Sequence, residues 1–97
     1  MNKVELVDRL AEASGLSRKD ARTAVEFLFA TDPRNGVIAS ALEVGERVQI
    51  TGFGTFELRQ RKARTGRNPR TGETIPIAAS RAPVFAAGKS FKDRYNN

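Results

Sequence analysis

The sequence predicts an α+β fold in which helices come first and a three-stranded antiparallel sheet with a long β-ribbon arm and a short C-terminal helix follows. Three features point to it. Apolar residues recur at helical spacing as far as Leu42, then alternate with polar ones from Glu46 onward. Glycine and proline gather where the period changes. The charge divides at the same place: residues 1–45 hold six basic and seven acidic side chains, a net of −1, and residues 46–97 hold eleven and four, a net of +7. All 97 residues make one domain, with 1–45 as its helical base and 46–97 as its sheet, arm and terminal helix.

The first helix is signalled by Asn2 and Glu5, the spacing of a capping box in which the Asn side chain accepts backbone N–H groups and the Glu reaches back. Val4, Val7, Leu10 and Ala11 then share one face with Leu6 beside it, and Gly15 stops the helix. Ser17 and Asp20 start a second helix whose stripe is Ala21, Ala24, Val25, Leu28 and Phe29. The segment TDPRNG (31–36) interrupts it. Thr31 or Asp32 is placed to cap a new helix with Pro33 at its first position, where a missing N–H costs nothing. Val37, Ile38, Ala41 and Leu42 resume the stripe to Glu43, and Gly45 ends it.

In the second half, Val48 and Ile50 alternate with polar residues, and Phe56 and Leu58 do the same after a tight turn at Gly52-Phe53-Gly54. A third strand is expected over IPIAASRAPVF (75–85), with Pro76 and Pro83 confining it to edge or bulged positions. GKSFKDRY (88–95) reads as the terminal helix.

Between the second and third strands lies RTGRNPRTGETIPI (64–77). Arg59, Arg61, Lys62, Arg64, Arg67 and Arg70 fall within residues 59–70, with no acidic residue among them. Such a run repels itself and needs solvent or an external polyanion. Arg59 and Arg61 share strand parity. Asn68-Pro69 is a turn signal, and Gly66 and Gly72 each stand three residues from Pro69. A β-ribbon arm over 59–76 with Asn68, Pro69 and Arg70 at its tip satisfies all of this. Guanidinium groups suit phosphates and narrow grooves, and an apolar proline at a tip can wedge between bases. The partner is therefore read as nucleic acid, with duplex DNA, nicked DNA and RNA all left open by these residues.

Other classes fit poorly. Histidine and cysteine are absent, and the carboxylates are scattered over helical surface positions, so no enzyme, metal or cofactor is expected. GFGTF and RTGETI lack the Gly-Lys-Ser/Thr ending of a phosphate loop. Neither long helix is strongly cationic on one face, which argues against a membrane surface. The charged N-terminus and the lack of cysteine fit a soluble cytoplasmic protein.

GFGTF (52–56), RTGRNPRTG (64–72), IPIAASRAPVFAAGKSFKD (75–93) and the opening MNKVELVDRLAE together resemble the HU/IHF family of bacterial histone-like DNA-bending proteins. The likeness covers essentially the whole chain. It implies an intertwined dimer with a helical base under a saddle of strands, whose two arms embrace the DNA minor groove. Carried over by position, Arg64, Arg67, Asn68 and Arg70 would contact the groove, and Pro69 would intercalate and kink the duplex. Arg59, Arg61, Lys62 and Arg81 would meet phosphates, with Lys3 and Lys89 along the flanks. Phe53, Phe56 and Phe85 would form the aromatic dimer core. The implied role is compaction of the bacterial chromosome in the nucleoid with little sequence specificity, by a homodimer or by a heterodimer with a paralogue. Two departures stand out: TDPRNG lengthens the second-helix region, and Pro76 is closer to the sequence-specific IHF branch.

Overall fold

The computed structural model describes residues 1–32 and 34–96, and the chain forms two compact units, Met1–Val44 and Gly45–Asn97. The first is helical: α1 (Lys3–Ser14), α2 (Arg18–Phe29) and α3 (Val37–Glu43). The Asn2 side chain accepts the N–H of Glu5 at 2.9 Å. Among the described residues no return bond from the Glu5 carboxylate accompanies it, so the cap is one-sided. Gly15 closes α1 by donating to the Ala11 carbonyl at 3.0 Å, and Ser17 caps α2 through the N–H of Asp20. Asp8 and Arg18 pair across the turn between them. Val7, Ala21 and Val25 are buried where α1 meets α2, with Leu10 and Ala11 packed on them. Each buried valine contributes roughly 1.5–3 kcal/mol of transfer free energy, and the small Ala21 lets the helices approach.

The break at 31–36 is present, but α3 starts later than Thr31 or Asp32 would have placed it. The Asp32 side chain instead accepts the N–H of Arg34 at 2.8 Å, and its carbonyl accepts from Asn35 at 3.1 Å. Gly36 is the N-cap, at φ 83° and ψ 87°, with no side-chain cap. A Cβ at Gly36 would run into the Ala30 carbonyl oxygen. The backbone passes so close to the end of α2 that the helix can begin only after a glycine in the left-handed region. The expected first-turn role of Pro33 lies outside the described residues.

The second unit contains β1 (Val48–Ile50), β2 (Gly54–Arg61), β3 (Arg64–Arg67), β4 (Thr74–Ile77), β5 (Ser80–Ala87) and α4 (Lys89–Asp93). β1, β2 and β5 form an antiparallel sheet in that order, and β3 and β4 form a two-stranded ribbon. The single strand expected over 75–85 is thus two strands, interrupted at Ala78-Ala79 opposite the break between β2 and β3 at Lys62-Ala63. Pro83 sits on the edge strand β5, and Pro76 sits in the ribbon, where each strand has a free edge. Phe56 and Phe85 are cross-strand partners with ring centroids 4.8 Å apart, and Phe53 lies 5.5 Å from Phe85. α4, shorter than the 88–95 expected, is held to the β1–β2 turn: Gly88 donates to Phe53 and Phe91 to Gly52.

Candidate nucleic-acid interface

The ribbon continues the β2–β5 pairing without a change of register. That ladder ends at Arg61↔Ser80, and three residues further along each strand the next begins at Arg64↔Ile77. Two residues on each side, Lys62-Ala63 and Ala78-Ala79, separate the ladders.

At the tip, Asn68 makes three bonds that close the turn. Its N–H donates to the Glu73 carbonyl at 2.8 Å, its carbonyl accepts from Gly72 at 2.8 Å, and its side chain accepts the Arg70 N–H at 2.9 Å. Pro69, Arg70 and Thr71 form the exposed turn itself. The two Arg-Thr-Gly units are consequently unlike each other. Arg64-Thr65-Gly66 is strand, with Gly66 covered by the Ile77 side chain, whose Cδ1 would lie 2.8 Å from any Cβ there. Arg70-Thr71-Gly72 is turn, with Gly72 in the left-handed region at φ 75°.

Alternation along strands, together with pairing between them, assigns each side chain to a face. In the ribbon, Arg64, Ile75 and Ile77 share one face, and Thr65, Arg67, Thr74 and Pro76 share the other. Arg64 and Arg67 therefore stand on opposite faces. In the sheet, Val48, Ile50, Phe56, Leu58, Pro83 and Phe85 form an apolar face, and Gln49, Thr55, Glu57, Arg59 and Arg61 a polar one. Arg81 pairs with Gln60 and has the parity of the apolar face, away from Arg59 and Arg61. Lys62 lies in the gap between the ladders, Lys89 opens α4, and Lys3 opens α1 in the helical unit. All these candidates are exposed except Asn68, which is half-buried by its own turn.

Sequence reasoning missed two features here. Glu57 binds two arginines: Arg59 Nη2 donates to Oε1 at 2.9 Å, and Arg47 Nε lies 3.2 Å from Oε2. The Arg59 hydrogen bond, aided by the charges of Arg47 and Arg59, holds the Glu57 carboxyl below its usual range against an opposing effect of desolvation. The strand register was the signal that could have found this row. The second is an extension of the aromatic cluster, in which Phe91 stacks on Phe53 and Tyr95 meets Phe91 edge-on. Among the described residues no cluster of three or more Asp, Glu, His or Cys could hold a metal ion, and no helix is long and apolar enough to cross a membrane.

A basic ribbon projecting from a small antiparallel sheet defines a β-ribbon nucleic-acid-binding protein. The chain belongs to the bacterial DNA-binding protein family, whose profile matches residues 1–96. It is 53% identical over 96 residues to the DNA-binding protein HU of Clostridium pasteurianum, covering 99% of each chain. It is also 53% identical over 93 residues to the DNA-binding protein HU 1 of Bacillus subtilis, covering 96% of this chain and 95% of that protein. Among solved structures, the Anabaena HU–DNA cocrystal structure is similar, with a TM-score of 0.83 at 43% identity, covering 99% of this chain and 98% of that one. The resemblance to HU and the α+β fold expected from the sequence both hold.

Proposed function

We propose that this histone-like protein works as a dimer that lays its two ribbons along the DNA minor groove, wedges Pro69 into a base step, and bends the duplex. The observation that carries this reading is the ribbon itself. A basic double strand in unbroken register with the sheet ends in a turn that Asn68 closes and in which Pro69 is exposed. Groove width and deformability, rather than base edges, would set where it binds. If an assembly neutralises about 6–10 phosphates, affinity falls about 10³–10⁵-fold between about 50 and 200 mM salt.

Dimerisation is supported by what each unit leaves uncovered. Phe27 and Phe29 of α2 are 52% and 51% exposed, Val44 is 72% exposed, and Phe53 and Phe85 are more than two-fifths exposed. Aromatic rings in that state are surface awaiting burial by a second copy. The location that follows for such a protein is the nucleoid, where its role is chromosome compaction.

The test is a comparison of wild type with Pro69→Ala on end-labelled duplex and nicked duplex, with an RNA duplex of equal length as competitor. Fluorescence transfer should show a smaller bend with Pro69→Ala, while affinity changes less. An unchanged bend angle removes the wedge, and equal competition by RNA removes the preference for DNA.

A further inference from the structure

Arg47, Glu57 and Arg59 form a charged row on the polar face of the sheet. Val48 pairs with Phe56, so Arg47, one residue earlier, stands across from Glu57, and Arg59 follows Glu57 on the same strand and face. Both oxygens of the carboxylate are engaged, Oε1 by Arg59 and Oε2 by Arg47. Glu57 is the covered member, its side chain 24% exposed against 74% for Arg47 and 60% for Arg59. On the other side of β2 this face presents Val84 and Ala82, which carry no charge. Among the described residues, Glu57 is the only carboxylate of the second unit in an ion pair.

A carboxylate is an odd group to find on a face that carries Arg47, Arg59 and Arg61. In the free protein it relieves the repulsion between two guanidinium groups. Beside a phosphate it becomes a like charge. A phosphodiester offers the same kind of oxyanion to a guanidinium as a carboxylate does. The pair geometry engages Arg47 through Nε and Arg59 through Nη2, which leaves each arginine further donors. Ion pairs this exposed are weak enough to exchange.

We propose that Glu57 is a built-in competitor of DNA: it holds Arg47 and Arg59 in the free protein and yields both to the phosphate backbone. Arg47 is thereby a further DNA contact, and Glu57 lowers affinity while settling the unbound sheet. The inference rests on the reading that this strand face meets DNA.

The test measures fluorescence anisotropy on one labelled duplex across a salt series, for wild type, Glu57→Gln, Arg47→Ala and Arg61→Ala, with circular dichroism to verify folding. Glu57→Gln should bind about 2–10-fold more tightly at low salt and steepen the dependence of log K on log salt. Arg47→Ala should bind more weakly, with a slope shallower by up to about 1.8 because the proposed dimer carries two copies. Unchanged or weaker binding by Glu57→Gln overturns the competitor role, because a positioning role would give that result. Unchanged binding by Arg47→Ala overturns the contact, and this exposed site keeps the proposal falsifiable should Glu57→Gln fold poorly. Arg61→Ala separates the two levels. If it weakens binding while the others do nothing, only this inference fails; if it too is silent, the strand face itself is wrong.

Discussion

The ring of Phe91 stacks on that of Phe53 with centroids 4.6 Å apart and planes 16° from parallel. This contact fastens α4 to the turn between β1 and β2. Two backbone bonds reinforce it, from Gly88 to Phe53 at 2.7 Å and from Phe91 to Gly52 at 3.1 Å. A helix of five residues has no stability of its own, so the stacked ring and these two bonds are what keep it formed.

Phe91→Ala should accordingly destabilise the second unit by roughly 1–3 kcal/mol, below the value for a fully buried ring because Phe91 is half-buried. Urea unfolding monitored by circular dichroism checks this. A loss under about 0.5 kcal/mol would mean that the backbone bonds alone seat the helix.

Gly36 carries the second prediction. Its positive φ and its approach to the Ala30 carbonyl each oppose a side chain. Gly36→Ala should cost about 2 kcal/mol or more, combining left-handed strain with a backbone clash. Gly45→Ala is the comparison, since Gly45 also has positive φ but nothing lies within 4 Å of its Cβ position. The difference between the two melting temperatures reports the clash alone. Equal losses would show that conformation, not contact, selects the glycine.

These two sites also show where the sequence is legible. α1 and α2 can be read because Asn2 and Ser17 are side-chain caps followed by a stripe of period 3.6, and each cap makes its bond. α3 starts at a glycine with no capping side chain, so its beginning leaves no local signal, and Asp32 looks like a better cap than it is. The split between β4 and β5 hides in Ala78-Ala79, residues that neither favour nor forbid a strand. The Arg47–Glu57 pair requires knowing that Val48 faces Phe56, which is a matter of register rather than composition. Parity within one strand places Arg59 and Arg61 together. Only the cross-strand partner Gln60 shows that Arg81 has the other parity.

The opposite faces of Arg64 and Arg67 make the ribbon's contribution separable. Each arginine that neutralises a phosphate adds about 0.9 to the slope of log K against log salt. The double replacement Arg64→Ala/Arg67→Ala, which removes two arginines from each ribbon of the proposed dimer, should flatten that slope by up to about 3.6. The single variants should differ from each other, because a ribbon lying in a groove turns its two faces to different surroundings. Titrations at four or more salt concentrations decide it. An unaltered slope in the double variant removes both residues from the contact set.

Glu57 adds a dependence on pH. Its carboxyl is held below the usual range by the Arg59 hydrogen bond first, with the Arg47 and Arg59 charges assisting and desolvation opposing. A group whose folded pKa is depressed contributes stability that is fully present above its unfolded pKa and is lost as pH falls through the folded one. Glu57→Gln should therefore melt below wild type at neutral pH, and the gap should close as the medium is acidified through and below the carboxylate range. Added salt should narrow the gap at neutral pH, since the arginines are largely exposed. Thermal melts of both proteins from neutral pH to about pH 3, at low and high salt, measure it. A gap that stays constant with pH would assign the difference to packing instead of charge. Paired with tighter DNA binding by the same variant, a closing gap would show one carboxylate acting in opposite directions: favouring the free sheet and opposing the bound one.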